Sequence, residues 1–378
     1  MRPIYLDYAA TTPLDARVLA AMQPYQTEFY GNPSSLHSFG QAARRAVARA
    51  REQTAALVGA SSDEVFFTSG GTESDNWALR GIAEEQRAAG RGAHIVTSTI
   101  EHAAVRESCR HLEACGFSVT EVPVDGEGRV DPAAVEAALR ADTVLVSIMT
   151  ANNEVGTIQP IAEIGAVVRA RGIPFHTDAV QAAGHIPLDV NVLNVDALSF
   201  SAHKFCGPKG IGALYLRRGT KIMPLICGGA QERDLRAGTE NTAAIVGCGC
   251  AAEIANAEMG AEDERLRAYT QLLREKLEAV DGIAFHGAQD KRLAGILNFG
   301  IRGFSQDTLL IRLDLAGFAV SAGSACSAGA ARPSHVLTAM GLSSGEAKCA
   351  IRVSCGRATE RAEILAFAER ILEIAGQC

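Results

Sequence analysis

No stretch of this chain gathers Lys and Arg into a patch, and the formal net charge is -7. A nucleic-acid surface needs clustered positive charge, so the expected partner is a small molecule or a protein. No segment approaches the roughly 20 apolar residues that span a bilayer. The opening Met1-Arg2-Pro3-Ile4-Tyr5-Leu6-Asp7 has no apolar core of the signal-peptide kind. The expectation is a cytoplasmic protein with no membrane and no nucleic-acid role. Ten cysteines in 378 residues are too sparse for a disulfide scaffold, and most read as small buried apolar residues. Cys248 and Cys250 form a C-x-C pair, but no second Cys or His pair stands beside it to complete a metal site.

What is present is length and apolar content for a large core: 47% of residues are hydrophobic and 21% charged. On the prior of about 100 to 200 residues per domain, two domains are expected. The stretch Gln41 to Val58 sets Ala43, Val47, Ala50, Thr54 and Leu57 on one helical face, ending before Gly59. Near-continuous apolar runs then alternate with helical patterns: Glu64–Thr68, His94–Ser98, Thr143–Met149, a helix from Ile161 to Gly172, and Ile173–Asp178. Such runs argue for a mostly parallel sheet covered on both faces. Ligands of these sheets sit beyond the carboxyl ends of the strands. Polar residues follow those ends: Glu101 and His102, then Asn152, Asn153 and Glu154, then Asp178 and Gln181, then Ser201, His203 and Lys204.

Three loops carry chemistry. In Ser69-Gly70-Gly71-Thr72-Glu73-Ser74-Asp75 the glycines precede a helix, with Thr72 read as its N-cap and Asp75 three residues on. Backbone N–H groups at Gly71 and Thr72 suit a phosphate; the loop is neither a Walker A motif nor a G-x-G-x-x-G fingerprint. Lys204 lies between the runs Asp196–Phe200 and Ile211–Leu216, with polar neighbours and a glycine-rich turn. There a Schiff base is feasible, although a single loop lysine taken alone is most simply solvated. Cys326 sits in Ser321-Ala322-Gly323-Ser324-Ala325-Cys326-Ser327-Ala328-Gly329. Small residues of this kind make a thiol accessible, and composition leaves its reactivity open. After the polar connection Gly228–Asn241, a helix with Leu266, Tyr269, Leu273 and Leu277 leads to strands at Gly295–Gly300, Ala319–Ala322 and Ala350–Ser354. They form a smaller α+β unit.

The motifs LDYAATTP, GNPSSLHSFG, FTSGGTESDN, EHAAV, ANNEVGTIQPI, FHTDAVQAAG, SFSAHKFCGPKGIGALY, RAGTEN and SAGSACSAG, in this order along the whole chain, resemble those of the NifS/IscS-type cysteine desulfurases. The resemblance implies a PLP-dependent transferase of fold type I, aspartate aminotransferase-like. It would have a mixed, mostly parallel sheet in a large domain over 1–255, and a smaller α+β C-terminal domain over 256–378 that carries the cysteine loop. The first ~15 residues would pack with the small domain. Lys204 would hold pyridoxal 5'-phosphate through a Schiff base, with Asp178 opposite the pyridine nitrogen. His102 would stack on the ring and shuttle protons. Gln181 and Asn153 would bond near the ring oxygen and the substrate. Gly71, Thr72, Ser201 and His203 would hold the phosphate, joined by Thr239 from a neighbouring subunit in a homodimer. Arg352 would pair with the substrate carboxylate, Arg357 being close by in sequence. L-cysteine would become L-alanine, with its sulfur left on Cys326 as a persulfide for an acceptor or iron–sulfur scaffold protein. No resident metal is implied, although Cys326 would be able to ligate an iron–sulfur cluster in transit.

The chain departs from the family pattern in places. Cys206 replaces a usual aromatic and is read as a packing substitution. The loop reads SAGSACSAG rather than SSGSACTSG, and the sequence stops at Cys378 soon after the final helix, so scaffold docking by a longer tail is not expected. Rival readings are a selenocysteine lyase or an aminotransferase on the same fold, the latter having no need of Cys326, and a sulfur carrier without turnover, against which Lys204, Asp178 and His102 all stand.

Overall fold

The computed structural model describes residues 3–323 and 333–376. Along the chain come β1 (Ile4–Tyr5), β2 (Val65–Thr68), β3 (His94–Ser98), β4 (Ser118–Val122), β5 (Thr143–Ser147), β6 (Phe175–Asp178), β7 (Ala197–Ser201) and β8 (Gly212–Leu216). After the helix Thr242–Leu277 follow β9 (Ile283–His286), β10 (Ile296–Ile301), β11 (Phe318–Ala319) and β12 (Ala350–Ser354). The central sheet has the order β2-β8-β7-β6-β5-β3-β4. β4, β3, β5, β6 and β7 pair in parallel, and β8 runs antiparallel to both β7 and β2. β2 therefore points the same way as β7, and Thr68, Ser98, Ser147, Asp178 and Ser201 all end on one edge of the sheet. The apolar runs read from sequence are these buried strands. β4 is different: its SVTEV is half exposed at the sheet margin, so its polar composition concealed it.

Residues of the helix Ser38–Ala56 on the expected apolar face are buried, among them Ala43, Val47, Ala50 and Thr54. The helix Thr242–Leu277 runs without a break past residue 255. Ile245, Cys248, Ala252 and Met259 pack into the core under the central sheet, whereas Leu266, Leu273 and Leu277 pack into a second core with Phe299, Ile351 and Phe367. That second core lies on the antiparallel sheet β12-β10-β9. Leu6 belongs to it, and Ile4–Tyr5 pair with Phe318–Ala319. Cys248 is fully buried and Cys250 only partly; two positions apart on a helix they face different sides and make no shared site. Among the described residues no helix is long and apolar enough to cross a membrane.

The outer edge of β2 is closed by side chains instead of another strand. Glu232, Arg233 and Asp234 take φ of 43°, 60° and 65°, left-handed backbone that non-glycine residues avoid. Their contacts account for it. The Glu232 carboxylate accepts the Phe67 N–H at 3.0 Å and pairs with Arg51 at 2.6 Å. Arg233 donates to the Val65 carbonyl at 2.6 Å and lies over the Phe66 ring. The clamp blunts an open sheet edge and fixes the strand that leads into Ser69-Gly70-Gly71. Replacing Glu232 by Ala leaves the Arg51 cation and the Phe67 N–H without their partner. Such a loss costs about 3 kcal/mol, read as a lower urea midpoint, and Glu232→Gln, which keeps an acceptor, should lose less.

Candidate functional site

At the shared strand edge lies a cavity of about 200 Å³. Gly71, Thr72, His102, Asn153, Asp178, Gln181, Ser201, His203, Lys204 and Arg352 all line it, although they come from six separate parts of the chain. Thr239 is exposed and is not among the lining residues. Cys326 lies outside the described residues. Arg357 pairs with Asp15 and Glu258 and is likewise not in this lining; Arg352 is the arginine that reaches the cavity.

The helix Gly71–Ala88 starts at the cavity wall. Gly70, not Thr72, is its N-cap, at φ 152°, and the Ser69 N–H is taken by Glu73 at 2.8 Å. The expected Thr72/Asp75 cap is therefore corrected: Asp75 points inward, is 1% exposed and lines the cavity. A Cβ at Gly71 would stand 2.5 Å from Cγ2 of Val180, so only glycine lets the helix start approach Asp178 and its neighbours. The unpaired N–H groups of that start make an anion site.

Lys204 ends a short 3₁₀ turn after β7. Its Nζ donates to the carbonyls of Ala9 at 2.5 Å and Ala10 at 3.0 Å. The N-terminal LDYAATTP segment wraps this loop: Thr12 bonds the His203 carbonyl and accepts the Cys206 N–H, and Thr11 meets His203 Nδ1 at 3.1 Å. Gln181 Nε2 donates to Ala9 at 2.9 Å. His203 is pushed down to about 4 by burial and by Lys204 and Lys209, so it is a neutral ring at pH 7. Cys206 is buried at φ 64°, and burial raises its thiol, which fits packing better than reactivity.

Asp178 closes β6, and its Oδ1 accepts the Val180 N–H at 2.8 Å. Burial raises its carboxyl, against the opposing pull of His102 and Lys204. His102 caps the helix Ala103–Ala114, its Nδ1 accepting the Ala104 N–H at 3.1 Å, and burial pushes the ring below its ordinary value. Arg352, 1% exposed, donates to the Asn153 carbonyl at 2.8 Å and to Asp7 at 2.7 Å; its Nε has no partner among the described residues. Asp7 was passed over in sequence, and Asp75 was read only as part of a helix cap. Their signal was a carboxylate inside an otherwise buried motif, which must be paired or protonated.

A model of the class-V aminotransferase family matches residues 4–367. The chain belongs to this family. A protein from Dictyoglomus turgidum named Cysteine desulfurase IscS is 50% identical over 376 residues, 98% of this chain and 95% of that one. One of the same name from Methanosarcina thermophila is 47% identical, with 99% and 91% covered. Among solved structures, a NifS-like protein superposes with a TM-score of 0.93 at 40% identity over the full length of both chains. SspA in complex with cysteine superposes with a TM-score of 0.82 at 38% identity, covering 93% of this chain and 98% of that one.

The cofactor of class-V aminotransferases is pyridoxal 5'-phosphate, and the cavity fits it. A helix start with an obligatory glycine stands at one end, a lysine amine and a buried carboxylate lie within, and Asp75 Oδ1 and Arg352 Nε are buried polar atoms with no hydrogen-bond partner among the described residues. Behind His102, Glu101 is fully buried, with one oxygen held by Ser98 and the Met149 N–H, and burial pushes it up to about 8. Folded protein then keeps a proton that the unfolded chain releases near its ordinary value of 4.5. Between those values the unfolded state binds fewer protons, so stability falls as pH rises, and the loss is complete above the folded value. Glu101→Gln should flatten this fall, measured as the urea midpoint of cofactor-free protein near pH 5 and near pH 8.

Proposed function

We propose that this protein is a cysteine desulfurase that converts L-cysteine to L-alanine and leaves the sulfur on Cys326 as a persulfide. The observation that carries the reading is one cavity holding Lys204, Asp178 and His102 together with the buried Arg352. The sequence identity to proteins named cysteine desulfurase supports it.

Lys204 would bind pyridoxal phosphate, with Gly71, Thr72, Ser201 and His203 around its phosphate and Asp178 against the ring nitrogen. Bound there, it supplies an electron sink for the pair released at the substrate's α-carbon. Arg352 receives the substrate carboxylate in a fork already oriented by Asp7 and Asn153. Lys204 Nζ, released from the Ala9 and Ala10 carbonyls, takes the α-proton, and His102, low in proton affinity, passes a proton without holding it. Cys326 Sγ attacks the substrate sulfur. The carbon–sulfur bond breaks with its pair left on the β-carbon, which gains a proton, Lys204 returns a proton to the α-carbon to give alanine, and the new sulfur–sulfur bond forms on the Cys326 thiolate. The sulfur then passes to an acceptor or iron–sulfur scaffold protein in the cytoplasm.

The division of labour we assign is a cofactor domain over 1–255 and a domain over 256–378 that brings Cys326. We also assign a homodimer. Tyr30, Leu36 and Phe39 are 69%, 83% and 51% exposed around the Gly31–Ser35 turn, a larger apolar display than scattered surface residues provide, and Thr239 stands away from its own cavity. Sedimentation of the wild type should give twice the mass of one chain, and Leu36→Asp should shift it towards one; a monomeric wild type refutes the dimer.

With L-cysteine, the peptide containing Cys326 should gain the mass of one sulfur while alanine accumulates. Cys326→Ala should cut alanine formation by about a hundredfold or more, and Lys204→Ala should abolish trapping of cofactor by borohydride. Retention of full alanine production by Cys326→Ala would sink the assignment, and faster release of selenide than of sulfide from matched substrates would turn it towards a selenocysteine lyase.

A further inference from the structure

Two carboxylates line the cavity, and the proposed reaction uses only Asp178. Asp75 comes from the second turn of the helix Gly71–Ala88 and is 1% exposed, and its Oδ1 has no hydrogen-bond partner among the described residues. Atoms of Asp75, Asp178 and His102 lie within 4.8 Å of one another. Two carboxylates this close in a dry site do not both ionise. One of them holds a proton, and the surroundings decide which.

Asp178 has the company that stabilises a charge. It accepts the Val180 N–H at 2.8 Å and feels the attraction of the Lys204 cation from the loop after β7, with the His102 ring, itself pushed towards neutral by burial, also facing it. Asp75 has no cation of this kind. Below it on β6 stands His176, whose Nε2 is 3.6 Å from Oδ1. That ring is wedged between Ser147 at 2.8 Å and Ser199 at 2.9 Å, and burial pushes it down to about 3, so it is neutral. From the turn after β3, Glu101 adds another buried acid, and burial with the Asp178 charge raises the Asp75 carboxyl well above its ordinary value, against the opposing hydrogen bond of the Ser199 hydroxyl.

We propose that Asp75 is a positioning residue: its carboxyl stays protonated beside Asp178, so that Asp178 alone carries negative charge on the cavity floor. A second anion there would draw the Lys204 ammonium towards it and keep that amine from acting as a base. A neutral acid instead fills the space next to Asp178 and leaves its charge directed at the cofactor ring.

The effect on the loaded enzyme rests on the pyridoxal reading; the protonation itself does not, and it can be read in cofactor-free protein. With aspartate carboxyl carbons labelled by ¹³C, the infrared spectrum at neutral pH should contain a protonated-acid carbonyl band that moves with the label. The label excludes Glu101. Asp75→Asn should remove the band. Absence of a label-sensitive acid band in the wild type, or its persistence in Asp75→Asn, overturns the proposal even if pyridoxal phosphate binds as expected. Cofactor affinity by equilibrium dialysis supplies the positioning readout. Asp75→Ala should weaken binding about tenfold, the scale of one lost buried polar contact, and Asp75→Asn, neutral and of the same shape, should recover most of it. If Asp75→Asn falls as far as Asp178→Asn, a charge at position 75 is required and the proposal fails. Should Asp75→Ala not fold, the infrared result and the Asp75→Asn affinity still decide.

Discussion

A guanidinium taken fully out of water must be paired, and in this protein the pairing of Arg352 draws distant parts of the chain to one point. Arg352 comes from β12, its carboxylate partner Asp7 follows β1, and the Asn153 carbonyl follows β5. Asp7 also accepts the Ser321 hydroxyl at 2.8 Å, and Ser321 bridges the Arg352 backbone. One buried cation thus ties the N-terminal strand, the small antiparallel sheet and the end of the central sheet together at the cavity wall. The same N-terminal segment goes on to supply the carbonyls that hold Lys204. Pulling that segment away would take the carboxylate from Arg352 and two carbonyls from Lys204, and these contacts tie a segment of little secondary structure to the cavity wall.

Desolvation sets the chemistry of the cavity as much as any single contact. His102, His176 and His203 are all pushed towards the neutral ring, and Glu101, Asp75 and Asp178 towards the protonated acid. A site with many titratable groups therefore carries few charges. Those that remain are held by specific partners: Arg352 by Asp7, and Lys204 by carbonyls with Asp178 nearby. In low dielectric each surviving charge acts over the whole cavity, so keeping their number small matters for a lysine that must give up a proton.

Sequence periodicity revealed the parts of the fold where burial is complete. His94–Ser98 and Ala350–Ser354 are strands at the expected limits, because both are apolar runs bounded by polar turns. It failed where burial is partial: β4 and β9 each lie at a sheet margin and expose part of their length. The residues that line the cavity were legible for a different reason, since nine of the ten named for it lie in motifs at or just after the ends of strands of the central sheet, whose topology carries those ends to one edge, while Arg352 sits inside β12. Asp75 was misread because local spacing allowed a cap and only the fold shows that Gly70 already fills that position. Thr239 could not be placed by one chain, whose own cavity it does not line.

Glycine closes these motifs to larger side chains even where no ligand is touched. A Cβ at Gly212 would fall 2.7 Å from the Gly70 Cα and 2.6 Å from the Phe200 carbonyl, while one at Gly71 would strike Val180. The start of β8, the end of β7 and the Gly70-Gly71 loop are thus in backbone contact. Adding a side chain at any of these points would push the helix start, with its N–H groups, away from Asp178 and Lys204. Packing and binding impose the same requirement on the same atoms. The Gly-Gly-Thr loop is therefore set by the strands behind it as well as by the cavity it lines.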